Sequence, residues 1–217
     1  MLKSGALVIF LAALLSACAN PADNKTKAVV NNPNANTATA QTPAARQTKG
    51  ESVAITPENS KVEFTGSKVT GKHDGGFKTF TGNIDLVNGK PEESQVSFEI
   101  ETASVFTDTD GVTKHLQTPD FFDVAKYPKA TFASTKVAAD TAKGADNYTV
   151  TGDLTIHGTT KSVTFPAKIT VGADKVGVES EFVINRKDFG IVYAGKADDL
   201  IRDEVVLRLN LNPARKK

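Results

Sequence analysis

The side chains with the widest chemical reach in this chain are three histidines, His73, His115 and His157, and a single cysteine, Cys18. A zinc site needs three or four nitrogen, sulfur or carboxylate ligands, commonly with two of them a few residues apart. The histidines are widely separated, and each stands beside a turn or helix-start signal, so turn polarity accounts for them better than a metal does. The stretch FTDTDGVTKHLQ sets Asp108 and Asp110 before Gly111, as a calcium loop does. It also puts Phe106 and Gln117 where that loop needs carboxylates. There is no G-x-S-x-G elbow for a nucleophile and no glycine-rich nucleotide loop. No metal, no cofactor, no catalytic residue and no enzyme activity are expected. His73, in GKHDGGF, is the histidine placed to meet the polar end of a ligand at a cavity mouth.

Fixed charges add two candidates. Arg186 in NRKDFG and Arg202 in LIRDE can pair with an anionic group or polarise a carbonyl. Asp188 and Asp203 beside them offer ordinary surface ion pairs as the alternative. The whole chain balances 26 Lys+Arg against 25 Asp+Glu, which leaves no field to gather nucleic acid, so no nucleic-acid partner is expected.

The lone cysteine reads differently. MLKSGALVIFLAALLSACAN has a basic start, a short apolar run and small residues before Cys18, the pattern of a secretory signal peptide. The run is shorter than the roughly 20 residues that span a bilayer as a helix. Leu15-Ser16-Ala17-Cys18 resembles the bacterial lipobox. That resemblance implies acylation of Cys18 (palmitate among the chains), cleavage before it, and a lipoprotein of the cell envelope held by its new N-terminus. Ala19 in the next position favours the outer membrane, facing the periplasm. The expected organisation is a signal peptide over 1–17, a lipidated cysteine and disordered tether over 18–50, and a folded domain over 51–217. Residues 19–50 are rich in Asn, Ala, Thr, Pro and Gln and hold too little apolar surface to offset their ordering entropy.

What must position the candidates is a β fold. QVSFEIE, YTVTGDLTIH, SVTFPAKITV, KVGVESEFVI and VVLRLNL all alternate apolar and polar residues, the period of strands with one buried face. Turn signals at NGKPEE, HGTT and GADK separate them, and short links mean antiparallel pairing. Such a sheet stacks as a sandwich or closes as a barrel, and periodicity does not choose. The inward faces carry Phe64, Phe80, Phe98, Phe132, Phe165 and Phe182. A barrel lined that way suits one apolar guest, whereas mutual packing of the rings is the plainer alternative.

Taken in order, SKVEFTGSKVTGKHDGGFKTFTG, HLQTPDFFDVAKYPKATFAS, GDLTIHGTTKSVTFPAKI, INRKDFGIVY and LIRDEVVLRLNL are similar to the YceI-like family over about residues 52–212. The resemblance implies an antiparallel lipocalin-like barrel, here of about eight strands, with a short helical insertion near residues 112–126. It also implies a long isoprenoid chain as ligand, a polyprenyl quinone or polyprenyl phosphate, or a similar amphiphile, and a periplasmic or secreted protein. The family carries no sharply defined catalytic motif. The cavity candidates are Phe64, Phe77, Phe80, Ile84, Phe98, Ile100, Phe121, Phe122, Phe132, Ile156, Phe165, Phe182 and Ile184, with His73, Arg186 and Arg202 for the headgroup. Expected partners are that lipid and, through the anchor, a membrane; a homodimer is compatible with the sequence. The alternatives are an envelope hydrolase acting at the barrel mouth and a filled barrel serving as an interaction module.

Adjacent Phe121 and Phe122 do not fit a one-sided strand. Thr118 as cap, Pro119 at the first position and Asp120 in the first turn predict a helix that carries both rings on one face. The pair is then either a fixed plug of the core or a lid on the ligand.

Overall fold

The structure, a computed structural model, describes residues 19–33 and 50–215. These contain β1 (Val29–Asn31), β2 (Glu51–Ile55), β3 (Ser60–Lys68), β4 (Gly71–Phe77), β5 (Phe80–Leu86), β6 (Gln95–Glu101), β7 (Val105–Thr107), α1 (Asp110–Leu116), β8 (Lys129–Ala139), β9 (Asn147–Ile156), β10 (Thr159–Val171), β11 (Val176–Asn185), β12 (Gly195–Lys196), β13 (Asp199–Leu200) and β14 (Glu204–Leu211). One sheet runs β2-β5-β6-β8-β9-β10-β11-β14-β3-β4-β7, with every ladder antiparallel; β1 adds to β10, and β12–β13 form a separate hairpin.

The lipocalin-like expectation holds, with more strands than the eight that a minimal barrel needs. The end strands β2 and β7 form no ladder with each other, so the sheet curls as a half-barrel. A corner staples its ends instead. Lys78 N–H donates to Ser104 C=O and Glu101 N–H to Thr79 C=O, each at 3.1 Å, where β4 passes to β5 and β6 to β7. Inside, Val53 and Ile55 of β2 pack in one cluster with Val176 and Leu211, so opposite parts of the sheet cover each other.

Turn chemistry sets the registers. His157 and Gly158 both have positive φ, 50° and 73°, between paired Ile156 and Thr159. That is the two-residue hairpin whose twist matches the strands. Asn88 and Gly89, at φ 52° and 67°, make a similar tight turn, with Lys90 N–H on Val87 C=O at 2.9 Å, inside the longer connection from β5 to β6.

The helical insertion lies earlier than the sequence predicts. Helix α1 ends at Leu116, and residues 118–127 form successive turns. Asp123 N–H bonds back to Thr118 C=O at 2.9 Å, but Asp123 itself takes φ 45°, a left-handed value that ends any helix. Pro119 therefore starts a turn rather than a helix.

The larger correction concerns the tether. Residues 19–33 are packed against the barrel rather than disordered. Strands β10 and β11 pair only from Lys168 to Val171 and diverge beyond. Strand β1 enters the gap: Val30 lies opposite Val163, Ala28 N–H donates to Val183 C=O at 2.8 Å, and Val183 N–H to Thr26 C=O at 2.9 Å. Ala28 and Val30 pack on the interior cluster of Val163, Phe182 and Ile184, completing the wall. On the outer face Ala22, 3% exposed, covers Val183 and Val206. So few apolar residues carry no strand signal of their own; the diverging strands supply the hydrogen-bond partners. Cys18, the signal segment and residues 34–49 lie outside the described residues.

Charges fasten this segment: Lys25 Nζ sits 2.6 Å from Glu181, and Asn20 and Lys27 both reach Glu204. The hydrogen bond from Lys25, then that from Arg208, holds the Glu181 carboxyl below its ordinary value of 4.5; Lys27, then Asn20, does the same to Glu204. A carboxyl lowered on folding contributes stability above its unfolded value and loses it as the pH falls through the lowered one. Hydrogen exchange should therefore show the Ala28 and Val183 amides losing protection on acidification below about pH 4, before those of β14. Equal protection at neutral and acid pH would rule out this fastening.

Candidate functional site

Every second residue of β3, β6, β8, β9, β10, β11 and β14 points inward, and these faces enclose three adjoining cavities. The central one, about 210 Å³, is walled by Phe64, Phe77, Phe98, Ile100, Phe121, Phe122, Phe132, Ile156, Phe165, Phe182 and Ile184, among others. A smaller one of about 80 Å³ lies at the far end, beside Ile84, Leu86, Val96, Val171 and Leu211. Phe98, Phe132, Phe165 and Leu209 belong to both walls. The third, about 320 Å³, lies at the opposite end and shares Phe64, Ser67, Leu116, Phe121 and Ile201 with the central one. It alone has a strongly polar rim, with Lys68, His73, His115, Tyr193, Lys196 and Asp199. This is the mouth.

Two glycines keep the interior open. A Cβ on Gly152 would stand 2.4 Å from the Phe132 ring, and one on Gly75 would stand 2.7 Å from Phe64. Both rings thus lie over bare backbone. Phe165 stacks on Phe182 with centroids 4.2 Å apart, and Phe132 meets Phe165 at 5.7 Å, so these rings form the partition between far and central cavities.

Phe121 and Phe122 face the central cavity from the turns after α1. Phe122 leans edge-on against Phe77 at 5.7 Å. Phe121 joins His115 and Tyr193 in a trio with centroids 5.0 to 5.6 Å apart and separates the central cavity from the mouth. Phe80 is the exception among the aromatic candidates: it is buried with Val53 and Ile55, packs on Phe98, and lines none of the three cavities. Its strand, β5, is next to the sheet's end, and the ring is buried in the cluster that neighbouring β2 shares with Val176 and Leu211 from across the interior. Ile84 lines only the far cavity.

The polar candidates separate into two kinds. Arg186, 4% exposed, is a structural clamp: its guanidinium donates to the carbonyls of Ile191, Ile201 and Arg202 and to Asp203, at 2.7 to 3.3 Å. Burial pushes its pKa below the usual guanidinium value, with Asp203 opposing. Four of its five donors are committed to the 191–203 loop, so it is not a free headgroup contact. Arg202 is the opposite case: its Nε is buried without a partner, and so is the Oγ of Ser67, 6% exposed. The two residues are neighbours, with Arg202 N–H on Ser67 C=O at 2.9 Å, and both line the central cavity, Ser67 at its border with the mouth. Unpaired buried donors are costly and rare.

His73 is in strand β4 rather than a turn, and it does line the mouth; its Nδ1 is 2.8 Å from Asp108, whose carboxyl this hydrogen bond holds below the usual range. His115 Nε2 pairs with Asp120 at 2.7 Å. Among the described residues neither imidazole bonds a serine or threonine hydroxyl, and no group of three metal-ligating side chains occurs. His157 packs on Tyr127, away from the cavities. Sequence reasoning passed over Ser67, Tyr193, Ile191 and Ile201; the strand parity that found Phe64 gives no signal across the irregular 186–203 stretch.

The family model for the YceI-like domain matches residues 54–212. A UPF0312 protein of Pseudomonas putida (strain W619) is 43% identical over 123 residues, 54% of this chain and 62% of its own length. One from Pseudomonas fluorescens (strain SBW25) is 37% identical over 139 residues, 61% of this chain and 71% of its own. The chain thus spans about three fifths of the length of the first of these relatives. Among solved structures, BcnA of Burkholderia cenocepacia superposes with a TM-score of 0.64 at 25% identity, covering 73% of this chain and 98% of that one. A polyisoprenoid-binding domain from Saccharophagus degradans, implicated in plant cell wall breakdown, gives 0.60 at 18% identity, covering 77% and 100%, a likeness of fold.

Two substitutions separate structural from free polar groups. Arg186→Met strands one buried and two part-buried carbonyls and should cost about 3 kcal/mol or more, whereas Arg202→Ala should cost under about 1 kcal/mol; urea unfolding measures both. Gly152→Ala should cost about 1–3 kcal/mol, because its Cβ would press on the Phe132 ring at 2.4 Å and on the Ala133 carbonyl oxygen at 2.6 Å. An unchanged midpoint for Gly152→Ala would mean that the ring does not rest there.

Proposed function

The chain belongs to the YceI-like domain family, and from that premise we propose that it binds and carries an isoprenoid lipid, a polyprenyl quinone or polyprenyl phosphate, without catalysing a reaction on it. One observation carries the proposal: the interior is apolar throughout, and its unpaired donors, Arg202 Nε and Ser67 Oγ, stand at the mouth end alone. An amphiphile has that same asymmetry. Its tail would lie in the central and far cavities, and an oxygen of its headgroup would accept from Arg202 or Ser67, which relieves the cost of leaving them unpaired.

Size adds a constraint. A cavity of roughly 150 Å³ holds a benzene ring, so the central cavity takes a ring-sized group without rearrangement. A long prenyl chain has to continue into the far cavity, which requires Phe132 and Phe165 to rotate apart, and entry requires Phe121 to move from the mouth. Burial at roughly 25 cal/mol per Å² drives the tail inward without regard to direction. Tail selectivity is therefore loose, and headgroup selectivity falls to Arg202. The signal sequence and lipobox support a place in the cell envelope, with the acylated Cys18 holding the protein at the outer membrane's periplasmic face.

Organic extraction of the purified protein followed by mass spectrometry tests this directly. A stoichiometric prenyl lipid is expected; protein that holds no lipid and takes up no added polyprenyl quinone would sink the proposal. Arg202→Ala should lower affinity for a prenyl quinone roughly tenfold, the worth of one charge-assisted hydrogen bond, while leaving affinity for a prenyl hydrocarbon unchanged. Equal losses for both ligands would count against the headgroup role.

A further inference from the structure

Large apolar side chains are seldom left in water in a cluster, and the places where they are mark interaction surfaces. Among the described residues four are conspicuously exposed: Val29 at 59%, Val69 at 52%, Val192 at 65% and Leu200 at 49%. Val29 stands on the barrel wall, on β1. The other three gather at the mouth. Val69 is in the turn joining β3 to β4, and its N–H donates to Leu200 C=O at 3.1 Å. Val192 directly precedes Tyr193, which lines the mouth, and the β12–β13 hairpin that carries Leu200 contributes Lys196 and Asp199 to the same rim.

A second observation concerns where the chain enters the fold. Glu204 opens β14 and pairs with Asn185 at the end of β11, on the level of the Ser67–Arg202 contact and so at the mouth end. Asn20 Nδ2 donates to Glu204 at 2.9 Å, and Ala22 is buried beside it. The described chain therefore begins at the mouth end of the barrel. One residue, Ala19, separates Asn20 from Cys18, a reach of at most about 7 Å.

We propose that the mouth end is a docking surface for a lipid bilayer, with Val69, Val192 and Leu200 inserted among the headgroups so that the channel opens onto the membrane. This rests on the carrier function above and adds how cargo reaches it. The occupant is a bilayer and not a soluble partner because the apolar tips flank the mouth through which the proposed lipid enters, and because a chain anchored at Cys18 lacks the length to hold that opening elsewhere. Charge is not the driver. Lys68 is paired with Asp199, Lys72 is 3.5 Å from Asp74, and Lys196 shares its hairpin with Asp198 and Asp199. Docking is therefore apolar insertion, and moderate salt leaves it in place.

The test uses residues 18–217 with Cys18→Ser, so that no acyl chain contributes; every described contact lies within residues 19–215. Vesicles of phosphatidylethanolamine and phosphatidylglycerol, free of isoprenoid, are the probe in a flotation assay. The protein should float with them, and V69S/V192S/L200S should reduce the bound fraction about tenfold, with circular dichroism unchanged. In the same background a polarity-sensitive dye on Leu200→Cys should shift to the blue on adding vesicles, whereas one on Asn88→Cys, at the far end, should not. Vesicle binding that survives the triple substitution, or a dye shift at position 88 equal to that at 200, overturns the proposal. So does self-association broken by the same three substitutions with no vesicle binding, which would assign the surface to a second copy of the chain. Uptake of a short-chain prenyl quinone from solution, measured alongside, separates the two ideas. Uptake without docking overturns docking alone, and docking without uptake overturns the carrier function alone.

Discussion

A strand with one apolar face has to hide that face, and in this protein a single curled sheet hides it against itself. Most other features answer that constraint. The interior closes only where side chains from opposite strands meet, as Val53 and Ile55 do with Val176 and Leu211. Elsewhere the curvature holds the faces apart, and the space is lined by rings rather than filled by them. Gly75 and Gly152 keep Phe64 and Phe132 flat on the backbone, and stacking of Phe165 on Phe182 holds the next layer. Dispersion forfeited across such a gap is a standing cost, which a tail-like guest would offset.

A half-barrel also has gaps in its wall, and each is handled locally. The corner at Lys78–Thr79 and Thr102–Ser104 joins the two ends by backbone hydrogen bonds. The widening between β10 and β11 is filled by β1, so the segment nearest the N-terminus serves as wall. At the mouth, Arg186 gathers three carbonyls of the 191–203 loop around one guanidinium. That loop has neither helix nor long strand to satisfy its backbone, so the arginine takes the place of a ladder. With Arg186 committed to the fold, Arg202 is left with a buried Nε that has no hydrogen-bond partner, and the interior's unpaired donors are confined to one end.

Much of this was legible beforehand because strand parity is a strict rule. Alternation in QVSFEIE and VVLRLNL placed Phe98, Ile100, Leu207 and Leu209 inside, and Asn88–Gly89 and His157–Gly158 announced their turns. The failures share a cause. Phe80 has the right parity, but it is packed in a filled cluster with Val53, Ile55, Val176 and Leu211, a matter of neighbours distant in sequence. Pro119 after Thr118 is as good a start for a turn as for a helix, and Asp123 at positive φ settled the matter. The segment 19–33 is polar enough to be disordered in isolation, and it is ordered by a slot that other strands create.

The sequence by itself determined an antiparallel β domain, its inward aromatic residues and its charge balance, because these follow from residue type and a period of two; the lipocalin type came from the family resemblance alone. The tertiary structure decided where the sheet stays open, which arginine holds the fold and which faces the cavity, and that the N-terminal segment is part of the wall. Those outcomes depend on pairs such as Arg186 with Ile201, Val30 with Val163 and Asn20 with Glu204, which no local pattern brings together. Parity is a property of one strand, whereas a cavity is a property of how far apart several strands come to rest.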